Sequence, residues 1–238
     1  MTMSTKATQS SLVKKYFMAL TGLFLCLFLV GHLLGNLQLL GSPESSRLAF
    51  NEYALFMTTF PLVKILSYLT YFSVLFHVVS GIRLTMQNRA ARPVKYVKEN
   101  GAANAIWSSR NMGILGTIIL VFLVTHMQNF WYVMHFDADI PMQTLANGES
   151  LKDLYAVVTS FFNAQENPLA LLAVGLYLVA QVALAFHLYH GFESGFQSLG
   201  VSHPKYTPMI KRVGQVFSLG VPVLFAVIPV YLYITQLP

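Results

Sequence analysis

Five apolar stretches, each long enough to cross a lipid bilayer, limit this chain more than any other feature. They run near Tyr16 to Leu40, Leu62 to Gln87, Arg110 to Met134, Pro168 to Gln197 and Met209 to Leu237. A crossing needs about 20 residues at 1.5 Å each. Inside hydrocarbon every backbone N–H and C=O must be satisfied within the segment, so each stretch is expected to be a helix. The expected fold class is all-α: an integral membrane protein with five transmembrane helices, forming one domain over residues 1–238. Composition agrees, because 10% of residues are charged against about 25% in a soluble domain. The net charge of +6 is scattered over the connections, which argues for topology and against nucleic-acid binding. Cys26 is the lone cysteine and lies within an apolar run. That excludes a disulfide framework, a C-x-x-C-H attachment site and a cysteine-ligated cluster in this chain. No small-residue cleavage site follows the first run, so the polar start, Met1 to Ser11, reads as the flank of a retained span.

Loop charge sets the expected orientation. Lys6, Lys14, Lys15, Arg89, Arg92, Lys95, Lys98, Arg110, Lys205, Lys211 and Arg212 collect at the start and in the second and fourth connections. The first and third connections carry Glu44, Glu52, Asp137, Asp139, Glu149, Asp153 and Glu166, with Arg47, Lys64 and Lys152 as their cations. The positive-inside rule then puts the amino end in the cytoplasm and the carboxyl end outside, in a cell's inner (cytoplasmic) membrane.

Ionisable residues at membrane depth are functional candidates. Phe186-His187-Leu188-Tyr189-His190-Gly191 repeats a pattern found earlier as Phe76-His77-Val78-Val79-Ser80-Gly81. The match pairs His187 with His77 and sets His190 opposite Ser80. A glycine four residues after each histidine lies one turn on along the same face, leaving room for a flat macrocycle. His32 and His126 each lie about 16 residues, roughly 24 Å, from the inner end of their spans. His77 and His187 each lie about 10 residues, roughly 15 Å, from theirs. Two matched levels, with two imidazoles each, suit bis-histidine haem better than zinc, which gathers its ligands at one point. The expected architecture is a four-helix bundle holding two haem b groups, with His77/His187 as the inner ligands, His32/His126 as the outer ligands, and a fifth helix alongside. The fifth run has no histidine and carries Pro222 and Pro229, so it is expected to kink outside the cofactor core.

Other residues carry two readings each. His190 is one turn from His187 but rotated about 60°, so both cannot face one iron; it is assigned beside the inner haem edge. Arg83 either pairs with a haem propionate or snorkels to the surface. His135 and His203 fall in loops and are expected to be solvated. Gly31 and Gly35 flank His32, and Gly113 and Gly116 precede His126; close helix packing explains them as well as a cofactor does. Glu52, Arg47 and Asn36, near the outer end, are candidate contacts to a quinone head, with surface solvation as the alternative for the first two. The basic Arg89 to Lys98 loop reads as a topology signal or as a docking surface. Ser42-Pro43-Glu44 signals a helix start, and Leu151, Leu154, Tyr155, Val158 and Phe162 recur at helical spacing, so both outer connections are expected to hold a surface helix.

The order of these histidines, with the five spans and the inside amino end, resembles the cytochrome b558 membrane anchor of succinate dehydrogenase and fumarate reductase, the single-polypeptide, two-haem kind. The likeness covers nearly the whole chain. It is most specific in His187 to Gly200, ending Phe196-Gln197-Ser198-Leu199-Gly200, and in His77-x-x-x-Gly81. His190 departs from the simplest pattern of that family. The resemblance implies a flavoprotein subunit and an iron-sulfur subunit on the cytoplasmic side, and electron exchange with a membrane quinone, menaquinone being expected. It also implies that the chain alone does not oxidise succinate. Two alternatives share some of the pattern: a di-haem cytochrome b subunit of a hydrogenase or formate dehydrogenase, and a proton-coupled transporter using buried histidines.

Overall fold

The computed structural model describes residues 11–91, 103 and 105–237. The polar start and most of the Arg89 to Lys98 loop lie outside the described residues. Helix α1 covers Ser11–Asn36 and tightens into a 3₁₀ turn over Leu37–Leu40; α2 is Pro43–Thr59 and α3 is Pro61–Ala90. The short α4, Trp107–Arg110, precedes α5, Met112–His126, which continues through a π-helical turn at Met127–Tyr132 into α6, Val133–Phe136. A hairpin of β1, Met142–Thr144, and β2, Ser150–Lys152, leads into α7, Leu154–Phe162. Helices α8, Ala170–Ser198, and α9, Thr207–Thr235, complete the chain.

Five helical runs are long and apolar enough to cross a membrane: Leu12–Leu40, Pro61–Ala90, Met112–Phe136, Ala170–Ser198 and Thr207–Thr235. The protein is therefore an all-α, multi-pass integral membrane protein. The outward faces of these helices make physical sense only in lipid. Leu27, Leu75 and Val216 are 69%, 65% and 74% exposed, and water would not tolerate such apolar surface over five helices.

Packing divides the chain into two units, and each of the five long runs gives one stretch to each. The first unit gathers Met1–Phe28, Leu69–Ile118 and Ala183–Gly220. Its contacts are close and partly glycine-dependent: a Cβ built on Gly214 would come within 2.8 Å of the Phe192 ring, and one on Gly195 within 3.2 Å of Leu23. The second unit gathers Leu29–Tyr68, Ile119–Val182 and Val221–Pro238. Its core is Leu39, Phe50, Phe162, Val174, Ile228 and Leu232.

Both expected connecting helices form, the second without Leu151, which pairs in β2 ahead of the helix. Pro43 opens α2, as the Ser42-Pro43 pair predicts, but the Ser42 hydroxyl pairs with Ser45 Oγ at 2.7 Å and does not cap a backbone N–H. In the second unit α7 is capped instead by Asp153, whose carboxylate accepts from the Ala156 N–H at 3.1 Å. Asp153 is fully buried. It also accepts from Arg47 through both Nε, at 2.8 Å, and a terminal guanidinium nitrogen, and from Asn51 Nδ2 at 2.8 Å. Asn51 donates further to Gln143 Oε1 and accepts from the Tyr155 N–H. One buried carboxylate thus ties α2, the hairpin and the start of α7 together. The hairpin turns at Gly148, whose φ of 84° is the left-handed conformation that glycine adopts at least cost.

Helix α9 is continuous through Pro222 and Pro229. Each proline leaves the carbonyl four residues earlier without its usual helical partner.

Candidate functional site

The four membrane-depth histidines meet in two pairs. In the first unit the rings of His77 and His187 have centroids 6.2 Å apart with planes at 68°. In the second unit His32 and His126 are 5.8 Å apart with planes at 87°. Two imidazoles bonded to one metal ion at about 2 Å each hold their centroids roughly 6 Å apart. Both separations match that figure. Among the described residues no three of His, Cys, Asp and Glu cluster as a metal site, so each pair offers two donors, as many as an iron porphyrin can take from its protein.

The second ring nitrogens are also informative. A metal-bound histidine usually gives its other nitrogen to a hydrogen-bonding partner that fixes the ring. Thr21 Oγ1 lies 3.4 Å from His77 Nδ1 and itself donates to the Phe17 carbonyl at 2.8 Å. Asn36 Nδ2 lies 3.4 Å from His32 Nδ1 and donates to the His32 carbonyl at 2.8 Å. The Tyr177 hydroxyl lies 3.3 Å from His126 Nδ1. At three of the four histidines Nδ1 has a polar neighbour, and at His77 and His126 that neighbour is a hydroxyl able to accept the Nδ1 proton, which leaves Nε2 for a metal. The exception is His187, whose buried Nδ1 has no partner among the described residues; Gln181 Oε1 in the same helix is likewise unpartnered.

Glycines line one side of the first pair, and they are not the ones the repeated motif points to. A Cβ on Gly191 would meet nothing within 4 Å, and one on Gly81 would reach only Met18. A Cβ on Gly22 would lie 3.2 Å from His77 Cε1, and one on Gly116 would lie 3.8 Å from His187 Cε1. The cradle around each imidazole comes from a neighbouring helix. Gly22 stands ten residues before His32 and Gly116 ten residues before His126, a repeated G-x₉-H spacing through which α1 and α5 each serve one pair with a ligand and the other with a gap. The two separations and the hydroxyls beside His77 and His126 Nδ1, with glycine gaps at the first pair, fit two bis-histidine haems.

Around the second pair the wall is aromatic. Phe225 lies 5.6 Å from His32, so the fifth helix, expected outside the core, reaches this site. Phe122 and Phe130 lie 5.4 and 5.3 Å from His126. Tyr177, Phe225 and the π-helical turn directly after His126 are parts of the site that sequence reasoning missed. The one available signal was Tyr177, a hydroxyl inside an otherwise apolar run.

The remaining candidates fall elsewhere. His190 is half-buried one turn before Glu193, which pairs with Lys211 at 3.0 Å. Arg83 is exposed. His203 is exposed in a connection, as expected, whereas His135 is exposed but lies in α6 and not in a loop, with its Nδ1 2.8 Å from the Trp131 carbonyl oxygen one turn earlier. Of the residues considered for a quinone head, Asn36 sits against His32, Glu52 is exposed, and the Arg47 guanidinium is committed to Asp153. Burial pushes the Asp153 carboxyl up, but hydrogen bonds from Arg47, Asn51 and the Ala156 N–H, with the Arg47 charge, outweigh it and hold the group below its ordinary value of 3.8.

Compared with known protein families, with curated protein sequences and with solved structures, the chain matches none.

Proposed function

We propose that this protein is the membrane-anchor cytochrome b subunit of a succinate:quinone oxidoreductase, passing electrons between cytoplasmic flavin and iron-sulfur subunits and a membrane quinone through two bis-histidine haems. The observation that carries the reading is the meeting of four isolated histidines as two ring pairs at metal-bridging separation. The resemblance in His187 to Gly200 and His77-x-x-x-Gly81 supplies the enzyme class.

When bound, each haem supplies reversible one-electron chemistry. The chain does the rest. His77 and His187 would hold one iron and His32 and His126 the other, while the Thr21 and Tyr177 hydroxyls stand where they can accept the Nδ1 protons of His77 and His126. Gly22 and Gly116 keep side chains away from the His77 and His187 rings. Phe122, Phe130 and Phe225 exclude water around the other pair, and the low dielectric makes every nearby hydrogen bond count for more.

The test is a pyridine-haemochrome assay on purified protein, together with identification of copurifying subunits. About two haem b per chain and a flavin-containing, succinate-oxidising partner are expected. Replacing His187 should remove one haem and replacing His190 should remove none. A colourless protein that retains its fold and partners refutes the reading.

A further inference from the structure

In the second unit the Tyr177 hydroxyl does more than touch His126. It lies 3.3 Å from His126 Nδ1, and the side chain of Asn129 hydrogen-bonds the same hydroxyl. Asn129 belongs to the π-helical turn Met127–Tyr132, a rare local geometry that accumulates at functional sites. The phenol cannot readily swing away. Phe122 and Phe162 pack edge-on to it at 4.9 and 5.1 Å, with planes at 87° and 88°.

The described neighbours of the other Nδ1 atoms differ in kind, and none is a phenol. Thr21 approaches His77 at 3.4 Å with its own proton already given to the Phe17 carbonyl; Asn36 offers His32 an amide N–H; His187 Nδ1 is unpartnered. If Nε2 of His126 binds metal, the neutral imidazole carries its proton on Nδ1, so the tyrosine oxygen accepts it, and the Asn129 side chain, hydrogen-bonded to the same hydroxyl, holds that oxygen in place. Accepting that proton makes the imidazole a stronger electron donor, which stabilises the more positive, oxidised iron.

We propose that Tyr177, held by Asn129, is a positioning residue that orients His126 and lowers the reduction potential of the haem held by His32 and His126. The proposal rests on the bis-histidine haem reading above.

The experiment is a potentiometric titration of the visible haem bands in the purified protein with its copurifying subunits, wild type against Tyr177→Phe, after a haemochrome assay on each. Phenylalanine keeps the ring and its aromatic contacts and removes only the hydroxyl. The expected result is two haems in both proteins, with one midpoint raised in the variant and the other unchanged. His126→Ala identifies which wave belongs to this pair. Two haems with neither midpoint moved, or with the wave moved downward, overturn the role of Tyr177 and leave the haem reading intact. Wild-type protein without haem overturns both. If Tyr177→Phe does not retain haem, Asn129→Leu decides: it leaves the phenol in place and removes its partner, and a smaller upward shift of the same wave supports the proposal, while an unmoved wave overturns it.

Discussion

Replacing Asp153 with alanine should loosen the α2–hairpin–α7 assembly by an amount that can be worked from its bonds. The carboxylate is fully buried and caps α7 through the Ala156 N–H; losing a cap of this kind costs about 1 kcal/mol. It also accepts charge-assisted bonds from Arg47 and a buried bond from Asn51. Those are worth about 2 to 3 kcal/mol together, the low part of the usual range. The reason is that the Arg47 side chain is 47% exposed and returns to water, while Asn51 keeps Gln143 as a partner. The sum is about 3 to 4 kcal/mol, or roughly 10 °C in melting temperature for a chain of this size. Thermal unfolding in detergent, followed by near-ultraviolet circular dichroism, reads it directly. Asp153→Asn keeps an acceptor for the cap and should lose about half as much. Glu52→Ala, an exposed carboxylate on the same helix as Arg47, serves as the control. An Asp153→Ala protein that melts within error of Glu52→Ala would refute the reasoning. Arg47→Ala completes a double-mutant cycle: coupling to Asp153 marks Arg47 as part of the clamp, whereas undiminished stability with weakened quinone turnover would return it to the quinone candidates.

Two other outcomes follow from the same geometry. Because the folded Asp153 carboxyl lies below its ordinary value of 3.8, its contribution is fully present above that pH and is lost as the pH falls through the lower folded value; an acid melting series should show this decline in wild type and not in Asp153→Asn. Gly22→Val should cost one haem or shift its bands, since even the first added carbon lies 3.2 Å from His77 Cε1, while Gly191→Ala, with open space around it, should leave both haems in the haemochrome assay.

Much of this arrangement was legible in the residues, for physical reasons. An apolar run of bilayer length has one fate in lipid, so the five spans needed no periodicity. Depth is linear along a helix, which allowed His32 and His126, or His77 and His187, to be matched by counting. What faces a ring across a helix interface is not linear in sequence. Gly22, Tyr177 and Phe225 come to the histidines by lateral packing, and the motif's own glycines, Gly81 and Gly191, do not. The Asn147-Gly148 pair was a hairpin signal overlooked between short strands. Asp153 reads in sequence as one more outer charge, because nothing local reveals that three donors await it. Nothing in the residue spacing of Met127–Tyr132 marks it as a π-helical turn.

That turn gives the third membrane run two angular frames of reference. An extra residue per turn advances everything beyond it by about 100° around the axis. Met112 to His126 therefore obeys one rotational phase and Val133 to Phe136 another. The turn thereby lets His126 face His32 while the last residues of the run present their side chains in a direction that an unbroken α-helix would not give them.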